Sequence, residues 1–256
     1  LMLRKKQGNR IKRLEIKKLN SYKMKTKTKT KLFAISVIFI LMTVTLQAQV
    51  GFGIQGGVNL QNINGKDGSG EKLTNELITG FHAGININIP VATDFYFQPG
   101  LLFSVKGSKN DFFSAPSKAS GDYATTTKLS YIELPLNLLY RPLVGKGHIL
   151  LGFGPYIAYG IGGKENSDFG SLASIERAVK FKNSVSDMTD LIENAYYRPF
   201  DAGANIFFGY ELPNGIFLQL DAQLGMLKIN PEYSWISDDK RSYKNTGFGL
   251  SLGYRF

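Results

Sequence analysis

The feature that most constrains this chain is a period of two in hydrophobicity that recurs along residues 49–256. Its clearest instance is residues 247–256, GFGLSLGYRF. Phe248, Leu250, Leu252, Tyr254 and Phe256 alternate there with Gly247, Gly249, Ser251, Gly253 and Arg255. Alternation of this kind specifies a strand with two unlike faces. One face is apolar or aromatic; the other is small and polar. A barrel strand whose outer face meets lipid has this composition. A soluble sandwich strand shows the same alternation but has little need of a final Phe.

Eight segments carry the pattern: residues 50–62, 78–90, 94–106, 128–141, 148–162, 198–211, 216–228 and 247–256. In the second, Phe81, Ala83, Ile85, Ile87 and Ile89 oppose His82, Gly84, Asn86 and Asn88. In the fourth, Ile132, Leu134, Leu136, Leu138 and Tyr140 oppose Tyr131, Glu133, Asn137 and Arg141. The connections alternate strictly between long (63–77, 107–127, 163–197, 229–241) and short (91–93, 142–147, 212–215). All tight turns then fall at one rim and all long loops at the other, as in outer-membrane barrels with short periplasmic turns. Greek-key sandwiches do not produce that asymmetry. The expected fold is all-β: an eight-stranded antiparallel up-and-down transmembrane β-barrel. Aromatic residues at the ends of the apolar stripes (Phe95, Phe97, Tyr140, Tyr159, Tyr210, Tyr254) suit interface girdles. A lipocalin-type soluble barrel would place the stripes inside instead. Within the third long connection, residues 172–193 read either as a short amphipathic helix or as a polar surface loop with one or two helical turns.

The charge of the chain is not that of the folded part. Residues 1–31 hold 13 Lys/Arg and one acid, whereas the remainder holds 18 Lys/Arg and 19 acids. The basic balance therefore sits at the N-terminus, and a nucleic-acid-binding face is not expected. Lys25, Lys27, Lys29 and Lys31 precede an uncharged run, residues 32–46, and Ala48 offers a small-residue cleavage site. That order reads as a secretory signal over residues 24–48. The run of 15 residues falls short of the roughly 20 needed to span a bilayer as a helix. Met24 is read as the start, residues 1–23 as an upstream extension, and residues 49–256 as the barrel domain.

Chemistry-bearing motifs are few. Gly51-x-Gly53-x-x-Gly56 matches a dinucleotide fingerprint as a string, but Val58 and Leu60 continue the strand period where that motif needs a helix. His82 and His148 have no Ser or Thr near them on the same strand face, so no catalytic set is expected. There is no Cys and no metal-ligand spacing, so no metal and no cofactor are assigned. The inward charges are more informative: Glu133, Asp201, Glu211 and Asp221 against Lys106, Arg141 and Arg255. Eight strands enclose room for side chains only, and buried charges must be paired or solvated. The expectation is a structural, salt-bridged plug. Arg141, Glu211 and Arg255 fall near the short-turn rim, either as one cluster or as separate solvated charges.

Several stretches resemble one family. Tyr131-Ile132-Glu133-Leu134-Pro135-Leu136 looks like its "YIE-aliphatic-PL" signature, and Gln98-Pro99-Gly100-Leu101-Leu102-Phe103-Ser104 like its "QPGLLYS" strand. Gly154-Pro155-Tyr156, Asp201-x-Gly203 and Gly253-Tyr254-Arg255-Phe256 also fit. Together they are similar to the PorT-like outer-membrane β-barrel family of Gram-negative bacteria. The long connection 163–197 departs from its pattern. The resemblance implies an eight-stranded barrel in the outer membrane. The namesake branch assists a protein secretion and gliding apparatus. By similarity to other outer-membrane barrels, Tyr254 and Phe256 are expected to belong to an assembly signal read by the insertion machinery.

The sequence thus points to a monomeric, non-enzymatic barrel in contact with outer-membrane lipid, with a structural or interaction role. The alternatives are a small-solute channel or transporter, a component assisting a secretion or gliding apparatus, and a lipid-modifying enzyme. Mass spectrometry of the protein from outer membranes should show a mature N-terminus at or near Gln49; an intact 25–48 segment would contradict the leader.

Overall fold

The computed structural model describes residues 50–111, 123–169 and 173–256. The expected leader and upstream extension lie outside the described residues, as does the middle of the second long connection. Eight long strands run in chain order: β1 (Gly51–Lys66), β2 (Ile78–Ala92), β3 (Phe95–Asp111), β4 (Tyr123–Tyr140), β5 (Gly147–Phe169), β6 (Phe200–Glu211), β7 (Ile216–Gly225) and β8 (Ser242–Arg255). Each pairs antiparallel with its neighbours in sequence. The ring closes where β8 lies along β1, in unbroken register from Gly53 opposite Arg255 to Lys66 opposite Ser242. Closure leaves no open edge among these strands, which is the condition for a sheet to sit in hydrocarbon.

The ring is an inverted fold. Val58 and Leu60 are 56% and 48% exposed, while Asn59 and Gln61 are 3% and 4% exposed. The same inversion runs through Phe81 against His82, Leu134 against Glu133 and Leu250 against Ser251. In water this surface would drive aggregation; against acyl chains it is the solvated face. Aromatic pairs mark both ends of the apolar band. Phe95 stacks on Tyr140 and Tyr254 meets Phe256 edge-on towards the short-turn rim, while Tyr159 meets Phe200 edge-on near the other end. Phe256 also donates its backbone N–H to Phe52 O at 2.8 Å. The tight turns use local chemistry: Gly215 has φ +86°, and Asn214 Oδ1 accepts from the Ile216 N–H at 3.2 Å.

On the long-loop side the strands outrun their sequence pattern. β1 continues to Lys66, β3 to Asp111 and β5 to Phe169, and β8 already begins at Ser242. Beyond the lipid both faces of a strand meet water or loops, so pairing persists after the apolar alternation stops. β7 ends at Gly225, short of the expected residue 228. The third connection also corrects the expectation. Most of it is strand: Ser174–Phe181 pairs antiparallel with the top of β5, and Asn194–Tyr197 pairs parallel with Ser174–Phe181. Among its described residues only Asp190–Glu193 forms a helical turn.

One irregularity has wide consequences. Between β4 and β5 the register shifts: Ser130 faces Gly162 while Tyr131 faces Gly160. The extra residue on β5 is a β-bulge, and it exchanges the two faces of the strand above it. Below the bulge Tyr156, Ala158 and Gly160 point inward; above it Glu165 does, and Lys164 turns out.

Leu220 is 59% exposed in the middle of β7. Leu220→Arg should cost about 2–4 kcal/mol of stability in lipid, and Leu220→Thr much less. Urea titration in vesicles, read by heat-modifiable gel mobility, measures both. Equal penalties would contradict a lipid-facing Leu220.

Candidate functional site

The inward residues of β4 provide a ruler for the bore. From the long-loop end they run Thr127, Leu129, Tyr131, Glu133, Pro135, Asn137 and Leu139, with Arg141 just past the strand. Each marks a layer of the interior.

At the short-turn rim Glu211 lies between two arginines. Arg141 reaches it through Nε at 3.1 Å and through a second, short contact from Nη2; Arg255 donates from Nε at 2.7 Å. The sequence placed these three near one rim, and the structure joins them. Arg141 also lies over Tyr96 and Arg255 over Phe217, at 5.9 and 5.6 Å from the ring centroids. Above this trio sits an apolar layer of Leu139, Leu150, Phe207 and Phe217, with Tyr96 packed against it. Two glycines make room for the rings. A Cβ on Gly152 would lie 2.0 Å from Phe207, and one on Gly253 would lie 2.2 Å from Phe217. Sequence reading missed this layer, because Leu139, Leu150, Phe207 and Phe217 interrupt polar faces and look like noise in the alternation.

The next layer is built of amides. Asn86 donates to Gln55 at 2.9 Å, Gln98 to Asn88 at 2.8 Å, and Asn205 to Asn137. Asp221 accepts from Ser251 at 2.6 Å and from Gln219. His82 Nε2 lies 2.8 Å from Ser251 Oγ. The Ser251 hydroxyl proton is already given to Asp221, so the imidazole N–H is the donor in that contact. The three residues come from β2, β7 and β8. No single-strand inspection of the sequence would pair them. A cavity of about 80 Å³ lies among these groups, room for a few waters.

Lys106 occupies the layer above and is fully buried. Its Nζ lies 2.8 Å from Glu133 Oε2 and 3.2 Å from Asp201 Oδ2, and 4.2 Å from the Tyr156 ring centroid. One cation thus faces two carboxylates. The second negative charge is offset by hydrogen bonds: Tyr156 and Asn245 donate to Asp201 at 3.2 and 2.9 Å, and Gln223 donates to Glu133 at 2.7 Å. A second apolar layer closes over this group. It comprises Ile63, Leu129, Tyr131, Tyr156 and Ala158 from the wall, Val179, Ala195 and Tyr197 from the third connection, and Ile229 from the fourth. The seven expected interior charges are therefore not one cluster. Arg141, Glu211 and Arg255 form the rim group; Lys106, Glu133 and Asp201 form the upper group; Asp221 stands with His82 and Ser251 between them.

Outside the upper seal a cleft of about 260 Å³ opens between the long connections. Its polar wall centres on Glu165, which accepts from Thr127 at 3.2 Å, from Tyr197 at 3.3 Å and from Arg177. Arg177 also holds the Leu191 carbonyl at 3.0 Å. On the far wall Arg241 grips Asp239 through Nε at 2.7 Å and Nη2 at 2.8 Å and lies 4.4 Å from the Tyr233 ring centroid. Those hydrogen bonds hold the Asp239 carboxyl below the usual carboxylate range. Among the described residues no group of His, Cys, Asp and Glu could hold a metal ion.

A family model described as "Outer membrane protein beta-barrel domain" matches residues 13–230. The chain belongs to the outer membrane protein β-barrel domain family. It is an outer-membrane protein, with the lipid-facing stripes and closed ring that such a location demands. No curated protein sequence matches it. Among solved structures it is similar to the crystal structure of Ail, the attachment invasion locus protein of Yersinia pestis, in complex with the heparin analogue sucrose octasulfate. That likeness has 13% identity and a TM-score of 0.35, covering 81% of this chain and 99% of that one. A second Ail crystal structure gives 12% identity and a TM-score of 0.35, covering 80% of this chain and 98% of that one.

Removing Lys106 would strand two buried carboxylates. Lys106→Met should destabilise the barrel by about 3–5 kcal/mol. Adding Glu133→Gln and Asp201→Asn should recover much of the loss. Equilibrium unfolding in detergent tests both steps; a triple variant no better than the single one would mean the carboxylates do not depend on Lys106.

Proposed function

We propose that this protein is a non-conducting, non-catalytic outer-membrane barrel that anchors its outer loops as a binding platform. One observation carries the reading: the bore is blocked twice, by the Phe207–Phe217 layer below and the Tyr131–Tyr156 layer above. Between the blocks, Lys106 is held on both sides by carboxylates. A solute path would have to break that ion pair and displace both apolar layers. The same blocks shield His82 and Ser251 from substrate, and Ser251 donates its proton to a carboxylate. Neither feature favours hydrolysis. The outer cleft, walled by residues from several loops, is where a partner would meet the protein. In this reading the protein is monomeric, is exported by a cleaved leader, and is inserted by the barrel-assembly machinery.

The narrower reading, a component assisting a secretion or gliding apparatus, rests on the PorT-like stretches around Tyr131 and Gln98. Co-purification of secretion-apparatus proteins from crosslinked membranes would support it.

Purified protein reconstituted in planar bilayers should give no stepwise conductance over an ordinary range of voltage. Reproducible ohmic steps would replace this reading with a channel.

A further inference from the structure

Just beyond the outer end of the apolar band, Lys128 on β4 and Lys164 on β5 stand directly opposite each other. Both are exposed. Like charges across one ladder repel, so this placement favours an anion between them. It exists only because of the bulge on β5: without the exchange of faces, Lys164 would point into the barrel. Lys164 has one acidic neighbour, Glu176, at 2.7 Å, in a contact where the side chains are 67% and 53% exposed. Such solvated pairs are weak and readily exchanged. Among the described residues, no carboxylate pairs with Lys128.

Directly beneath the two lysines lies a groove of about 700 Å³ on the outer wall. Phe81, Phe103, Val105 and Ile161 form its sides, and Gly162 leaves its floor open. A Cβ built on Gly162 meets no atom within 4 Å. On an outer-membrane barrel this surface faces the lipid. The groove suits one acyl chain, and the lysine pair lies where the chain's headgroup would begin. Ammonium groups bind phosphate as point charges, and basic residues at the membrane surface draw anionic headgroups.

We propose that Lys128, Lys164 and the groove beneath them bind a phosphorylated lipid of the outer leaflet, with its phosphate bridging the two ammonium groups and one acyl chain in the groove. The site commits to a lipid: the charge pair recognises the phosphate, and the groove supplies the acyl contact that a free ion would lack. Glu176 competes for Lys164 and so weakens it.

Native mass spectrometry of the full barrel in detergent tests this, with bisphosphorylated lipid A, the same lipid with both phosphates removed, and inorganic phosphate as probes. The wild-type barrel should prefer the phosphorylated lipid by about tenfold. Lys128→Ala with Lys164→Ala should abolish that preference. Gly162→Leu, which fills the groove and leaves both lysines in the sequence, should weaken retention of the phosphorylated lipid. Glu176→Gln should strengthen it. Heat-modifiable gel mobility confirms that each variant is folded. Equal retention of the two lipids by wild type would overturn the proposal. So would a preference that survives loss of both lysines, or inorganic phosphate binding as tightly as the lipid.

Discussion

In hydrocarbon no water is available to satisfy a peptide group, so the ladder between β1 and β8 is the constraint on which the rest of the structure depends. Gly53 to Lys66 must lie along Arg255 to Ser242. Once they do, every strand has two neighbours and each side chain is committed to lipid or bore. A slip of one residue would carry Val58 and Leu60 into the interior and Asn59 and Gln61 into lipid. The inverted face pattern and the closure therefore enforce each other.

The bore shows how a narrow barrel keeps charge at low dielectric. Lys106 is buried, yet it is not alone: two carboxylates and two phenol rings surround it, and two amides bond the carboxylates. Pairing of this quality need not add net stability over an apolar filling. It does make one arrangement of the interior far better than its rivals, because any shift in register would strand a charge. The apolar layers on either side separate the pair from bulk water and strengthen the pairing. The seal and the ion pair thus act as a single device.

The bulge on β5 divides the barrel into two regimes. Below it, alternation serves the membrane, with aromatic and aliphatic side chains out and glycine, amide or charge in. Above it the exchanged faces deliver Glu165 to the outer cleft and Lys164 to the lipid boundary. One inserted residue therefore sets the polar wall of the cleft and the basic pair outside it. The strand Ser174–Phe181 continues the sheet from the upper end of β5, so the third connection is wall as well as lid.

The period of two made the barrel legible without coordinates, because lipid and bore demand opposite chemistries at successive residues. Long-short alternation gave the two rims, and the positions of Arg141, Glu211 and Arg255 gave their common end. The apolar seals were not legible. Leu139, Leu150, Phe207 and Phe217 become a layer only when four strands bring them to one height, with Gly152 and Gly253 leaving room for the two rings. Nor was the contact of His82 with Ser251, which joins strands far apart in sequence. Strand length above the membrane was hidden too, since polar residues such as Asn166 and Ser167 pair there with no apolar face to record it. The sequence by itself determined the faces of each strand, because burial in lipid acts residue by residue. Only the tertiary structure decided which inward residues meet, because that depends on strand stagger and on the bulge in β5, neither of which leaves a periodic trace.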